Sequence, residues 1–548
     1  MKFFPALTPV AAAILLAGPA FAQQAPDAGR LLQENTAPAL RAPSPSPAIV
    51  ISTPVQTPLS GGMTVQLSAI TISGNTLFTE QDLLAVLGDI YAQSYDLAGL
   101  AELAQRLSLH YQSAGYPFAR AYLPAQSISD GKLRIEVIEG RYGEVTAQGE
   151  PAFTASAQRF LSPLRPGEVI SSRSLERATL LLNDQPGSKT VPLIRPGQEI
   201  GTGDLLVDVQ RHQPYSGDVG IDNQGNRYTG RYRSHLNLNA NSPFTLGDQL
   251  TLQSLRTDEG MWFGALGYNL PLTANGLRGR IGYTHSYYAL GSDFSSLNAS
   301  GTADIFSAGL SYALLRSQQA NLSLSGGLDH KRLHDVQRTA GTDGEKSSYV
   351  LPLSLNFDAR DRLGRAGLTY GTLSWSIGQL SLGNALAATD KTTARSAGNF
   401  NKLNLDVARI QSLTERIDLY GRLASQWTGE NLDSSEKFGL GGANGVRAYP
   451  SGEGYGDAGW LAQAELRYAM GASAPFAFFD TGSVKINQRP WATTDNHRSI
   501  AGGGLGLRYV RGLWSSSMTV AWRTDGGQAR SDKSAGSPVL WATLQYRF

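Results

Sequence analysis

"LWATLQYRF", residues 540–548, closes the chain and decides how the long stretch before it is read. Leu540, Ala542, Leu544, Tyr546 and Phe548 fall on one face of an extended strand, and Trp541, Thr543, Gln545 and Arg547 on the other. Successive strand side chains point to opposite sides, so one face suits lipid and the other water. "LAQAELRYAM", residues 461–470, behaves likewise: Ala462, Ala464, Leu466, Tyr468 and Met470 oppose Gln463, Glu465 and Arg467.

Alternating segments of about ten residues follow one another from about Ser216 to the end, separated by Gly, Asn, Asp and Ser. A soluble β-sandwich alternates too. The unbroken run and the terminal aromatic on the apolar face favour a transmembrane β-barrel over residues 213–548, of roughly 14–18 antiparallel strands by length. Composition agrees: the chain has 61 glycines and 22 tyrosines. No segment after the first residues reaches the ~18–20 apolar residues of a spanning helix.

At the other end, Lys2, the run "VAAAILLAGPAFA" and Ala20-Phe21-Ala22 describe a cleavable signal peptide over residues 1–22, which predicts an exported protein beginning near Gln23. Residues 23–62 read as a short helix, Asp27 to Glu34 with Asp27 as its cap, and a Pro/Ser/Thr-rich linker. Residues 63–143 form a β-α-α-β-β unit. Thr79 and Asp82 are spaced as a capping box. Leu97, Leu100, Ala104, Leu107 and Tyr111 share a helical face that Gly115 closes. The same order recurs less clearly in 144–212, which predicts two successive α+β domains.

Enzyme chemistry is not legible, and no catalytic, cofactor or metal residues are expected. There is no cysteine, no phosphate loop, no H-E-x-x-H and no G-x-S-x-G. A net charge of +2 gives no sign of a nucleic-acid partner. "GYGDAG", 454–459, fits G-x-G-x-x-G only literally, with no β-α-β unit around it. Asp480-Thr481-Gly482 spells the aspartic-protease tripeptide, but that chemistry needs two carboxylates sharing a proton, and this one lies in a barrel strand. A lone carboxylate out of bulk water wants a cation. Arg447 in the Gly-rich "GGANGVRAYP", 441–450, offers a planar donor fork for it. The alternative is two independent solvated charges.

Four strings carry a family resemblance: "ITISGNTLFTEQDLL", "HYQSAGYPFARAYLPAQSISDGKLRIEVIEGRYG", "GVRAYPSGEGYGDAG" and "FFDTG". With them the chain resembles, from end to end, the TpsB transporters of two-partner secretion (ShlB/FhaC/HecB-like) in the Omp85 superfamily. The resemblance implies a sixteen-strand barrel in the bacterial outer membrane, two POTRA domains in the periplasm and a plug made by the N-terminal helix. It implies that Arg447, within the loop motif Val446-Arg447-Ala448-Tyr449, pairs with Asp480 inside the barrel, flanked by Phe478 and Gly482. The face 476/478/480/482 then points inward, although its two phenylalanines alone suggest lipid. The family's loop commonly reads V-R-G-Y, so Ala448 is a departure that bears on the loop's backbone.

The implied partners are an unfolded secreted TpsA exoprotein, adhesin or haemolysin/haemagglutinin-like, captured by β-augmentation, and the lipids of the outer membrane. Leu544, Tyr546 and Phe548 resemble the signal read by the barrel-assembly machinery. Two rivals share parts of the pattern. A barrel-assembly insertase shares the motifs but has a longer array of modules, and a passive porin needs no modules at all.

Overall fold

The computed structural model describes residues 25–36, 40–43, 61, 63–128, 130–493 and 495–548. The expected signal peptide and most of the expected linker lie outside the described residues.

Sixteen antiparallel strands close into one barrel, from Tyr215–Asp222 to Val539–Arg547. Consecutive strands pair, and the last returns to the first over five residues, Thr543–Arg547 against Asp218–Asp222. Closure leaves no unpaired edge in the hydrocarbon, the condition for a sheet to span a bilayer. Alternation sets the two faces. Leu540 and Leu544 are exposed on the outside, while Trp541 is 7% exposed within. Outward Trp427, Trp460 and Trp522 lie near the extracellular ends of their strands, and outward Tyr468, Trp514 and Phe548 at the periplasmic ends. Those two levels are where aromatic girdles form.

Before the barrel stand two three-stranded α+β modules. In the first, Ala69–Ser73 runs parallel to Lys132–Ile138, which also pairs Arg120–Tyr122. Glu80–Leu87 starts with a complete capping box between Thr79 and Asp82. On the helix Leu97–Ser113 the buried stripe is Leu100, Leu103, Ala104, Leu107 and Tyr111, whereas Leu97 is 59% exposed. Leu97 is the first helical residue, and Leu103 takes the place expected for it in the stripe.

The second module repeats the order, with helices Pro151–Leu161 and Ser172–Asn183 and a sheet of Arg141–Gly149, Thr202–Arg211 and Ser188–Pro196. Its first strand starts at Arg141, three residues before the expected boundary at 144. The join is therefore short and pinned. Buried Glu139 accepts hydrogen bonds from the Thr76 and Leu77 amides, at 2.6 and 2.8 Å, and pairs with Arg141 at 3.1 Å. The second module is tied to the barrel's periplasmic rim by a two-pronged Arg316–Asp184 pair at 2.6 and 2.7 Å, and by Arg177, which donates to the Ala313 carbonyl at 2.6 Å.

The N-terminal helix runs Ala28–Thr36, two residues beyond the expected end at Glu34. Asp27 caps it, accepting from the Arg30 amide at 2.9 Å. The helix lies inside the barrel, where Ala28, Leu31 and Leu32 pack among Tyr228, Met261, Tyr288 and Leu333 of the wall and loops. Its first turn is near the extracellular end: Asp27 pairs with Lys346 at 2.8 Å, and the Ala28 amide donates to Asp335 at 2.8 Å. Farther along, Leu40 rests on Tyr370 and Tyr420, and Arg360 donates to the Pro43 carbonyl. The described segment thus threads the lumen from outside towards the periplasm.

Candidate functional site

The loop between strands Ile417–Thr428 and Ala458–Tyr468 leaves the extracellular rim and folds back into the lumen. Its turns are made by Gly442, Gly452 and Gly454, all at positive φ, where a side chain would be strained. Past the turn at Asn444, which faces the lumen, residues 445–449 are buried. Val446, Ala448 and Tyr449 are 0% exposed and pack with Leu440, Leu461, Ile500 and Ala521. The Val446 amide donates to the Leu440 carbonyl at 2.7 Å, and the Tyr449 hydroxyl to the Asp525 and Gly527 carbonyls at 2.7 and 2.9 Å.

Arg447 spends every face of its guanidinium. Nε and Nη2 each reach an oxygen of Asp480 at 2.7 Å, and Nη1 reaches Glu465 at 2.5 Å. Its own amide donates to Asp480 at 3.1 Å, and its carbonyl accepts from the Trp541 indole at 2.8 Å. The guanidinium lies 3.7 Å above the Phe478 ring centre. Phe476, Phe478 and Asp480 face inward at 4, 7 and 0% exposure, while Phe479 between them is 48% exposed to the outside. A cation stacked on the inward rings accounts for phenylalanine on the lumen face, since an aromatic ring face attracts a desolvated cation.

Two glycines make room for the loop. A Cβ added at Gly482 would lie 2.8 Å from the Leu440 side chain, and one at Gly502 would collide with the Ala448 methyl. Ala448 itself is outside the positive-φ region that five other non-glycine residues occupy. Alanine therefore stands there without backbone strain, and its methyl is met by bare backbone across the gap.

Glu465 is the residue that sequence reasoning left without a role. It is 4% exposed and serves three cations: Arg447, Arg467 at 2.7 Å and Arg508 at 3.0 Å. Its alternation with Gln463 and Arg467 marked it as lumen-facing. Nothing in the sequence linked it to Arg508, which lies on another strand. The predicted carboxy-terminal residues are elsewhere. Leu544, Tyr546 and Phe548 lie on the outer face near the periplasmic end, with Tyr546 against Trp514 at 4.9 Å between ring centres.

The same loop touches the helix. Ser434, near the loop's start, donates to Asp27 at 2.6 Å. Gln33 donates to the Ser435 carbonyl, Arg30 to the Gly452 carbonyl, and Arg30 stacks 4.9 Å from the Tyr455 ring centre. Lys346 joins both, pairing with Asp27 and with Asp433 at 2.9 Å. Burial works against the Asp27 charge, but Lys346 and the hydrogen bonds from Lys346, Ser434 and the Arg30 amide hold its carboxyl at about 2. A cavity of about 720 Å³ remains between helix, loop and wall, lined in part by Asn356, Thr372, Ser374 and Asn404.

A closed sixteen-strand barrel with an inward arginine loop, preceded by α+β modules, defines a class: the outer-membrane barrels that handle other proteins. Comparison with known proteins narrows it. Residues 201–509 match the family described as haemolysin secretion/activation protein ShlB/FhaC/HecB, and residues 65–140 match the ShlB-type POTRA domain. The chain is 27% identical over 470 residues to the heme/hemopexin transporter protein HuxB of Haemophilus influenzae strain 86-028NP, covering 82% of each. It is 25% identical over 482 residues to the hemolysin transporter protein ShlB of Serratia marcescens, covering 83% of this chain and 82% of that one. Its fold is similar to that of CdiB from Escherichia coli, with a TM-score of 0.71 and 23% identity, covering 90% of this chain and 93% of the other. The chain belongs to the ShlB/FhaC/HecB family of TpsB transporters. It is an outer-membrane translocase of two-partner secretion, with its POTRA region in the periplasm.

Proposed function

We propose that this transporter exports one large, unfolded TpsA-type exoprotein of the adhesin or haemolysin/haemagglutinin kind, with the Ala28–Thr36 helix as the resting plug. In this reading residues 63–140 and 141–212 are both POTRA domains. They receive the client at the periplasmic rim, and exposed sheet edges pair with its main chain with little regard to sequence. Arg447, Asp480 and Glu465 hold the loop against the wall, so that the lumen beside it stays open once the helix has left. The observation that carries the proposal is the helix itself, packed along the lumen and bonded to the loop that carries Arg447.

Client folding outside the cell would make exit one-way, since no nucleotide site is legible in the chain. Lipid contact by the outer face and delivery by the barrel-assembly machinery through Leu544, Tyr546 and Phe548 complete the proposal. The test is co-expression with a candidate large exoprotein, sought first among genes neighbouring this chain's own, reading the culture medium for the client. Export that depends on this chain supports the proposal. A client that stays in the periplasm in its presence, while the barrel is in the membrane, rejects that pairing.

A further inference from the structure

Beside the helix, two extracellular loops meet at one buried carboxylate, and a third segment joins them through Arg227. Asp532, in the loop between the last two barrel strands, has a side chain only 5% exposed. It pairs with Arg231 at 2.7 Å and Arg227 at 3.2 Å, both from the loop between the first two strands. Ser534 adds its amide at 2.9 Å and its hydroxyl at 2.7 Å. Arg227 also reaches Asp293 at 3.1 Å, in the short 3-10 turn Ser292–Leu297. Between the two arginines Tyr228 turns inward, 2% exposed, in the same apolar cluster as Ala28, Leu31 and Leu32 of the helix. Its hydroxyl donates to the Ser531 carbonyl at 2.9 Å.

The assembly is tied to the arginine loop by a second buried carboxylate. Glu453 is 1% exposed and accepts from the Arg530 and Ser531 amides at 2.9 and 2.7 Å, and from Arg498 at 2.8 Å. Arg498 in turn donates to the Gly526 and Gln528 carbonyls at 2.6 and 3.0 Å. Buried carboxylates satisfied this fully define one geometry, because breaking any contact strands a charge.

We propose that these segments form an exit lid, a second closure of the pore distinct from the helix, with Asp532 as its latch and Glu453 as the positioning residue that couples it to the Arg447 loop. The lid keeps extracellular solutes from the lumen and yields only when the emerging client displaces Tyr228. The Asp532 latch itself runs from loop to loop, while Tyr228 and Asn226 of the same lid rest on the helix, Asn226 donating to Glu34 at 3.1 Å.

The chain has no cysteine, so single cysteines report access cleanly. In the full chain, Ala28→Cys places a thiol in the cluster that Tyr228 covers, and Leu40→Cys places one deeper in the lumen, against Tyr370 and Tyr420. Intact cells are treated with a polyethylene-glycol maleimide too large to cross the membrane. Asp532→Asn is expected to speed labelling at 28 about tenfold, as loss of charge-assisted contacts shifts the closed state, and to leave 40 unchanged. Arg231→Gln, which breaks the same latch from the other side, should do the same and serves where Asp532→Asn fails to assemble. Unchanged labelling at both positions overturns the lid. Faster labelling at both also overturns it, because the loops would then only hold the helix and would not form a separate closure.

Discussion

Arg447 is shared by two buried carboxylates, Asp480 and Glu465. Removing one partner of a buried pair costs about 3–5 kcal/mol, most of it from the charge left behind. Arg447→Ala strands Asp480 and loosens Glu465, so client in the medium should fall at least about tenfold while the folded barrel remains in the membrane. Arg447→Lys should fare little better, since a point charge cannot hold Asp480 with two prongs and Glu465 with a third. Export at the normal level by both variants would mean that the charges act independently. How much of this was legible follows from where the constraint comes from. Lumen-facing Glu465 could be read from the period-2 alternation that lipid and water impose. Its pairing with Arg508, or Asp532 with Arg231, joins residues far apart in sequence, and no spacing rule encodes that. The inward phenylalanines misled alternation because a buried cation, not lipid, is what they cover.

At the scale of elements, the N-terminal helix is held both by an apolar cluster and by buried charges. Lys346 stands between Asp27 and Asp433, so Lys346→Met leaves two acids facing each other. That variant should open the channel more often in single-channel recordings. The effect of pH has a definite sign. Docking lowers the Asp27 carboxyl from 3.8 to about 2, so its contribution is complete above the higher value and is lost only as pH falls through the lower one. Burial raises Glu34, against the opposing pull of Arg30 and Asn226. Docking therefore favours the protonated form of Glu34, and its contribution weakens as pH rises. Both signs agree that mild acid does not release the helix, so closed dwell times should not shorten between pH 7 and 5. Shorter closures over that interval would put the latch on other groups. The helix was legible as an element, from Asp27 as cap and the proline-rich stretch after it. Its partners were not, since they come from strands and loops hundreds of residues away.

At the scale of the molecule, the periplasmic modules, the barrel and the inward elements form one connected body. Glu139 and Arg141 join the two modules, and Arg316 and Asp184 join the second module to the rim. The barrel strands were the most legible part, because a membrane forces every strand to obey the same alternation. Short module strands such as Ser94–Tyr95 were the least, being too brief for a period to show. The central claim is that this barrel is a protein-sized pore held shut from within. Single-channel conductance of the purified protein in a planar bilayer, with and without residues 23–60, tests it most directly. The account predicts a mostly closed, flickering channel for the whole protein and a larger, steadily open one for the shortened protein. Equal conductance from the two would contradict the plug, and no channel from either would contradict the pore.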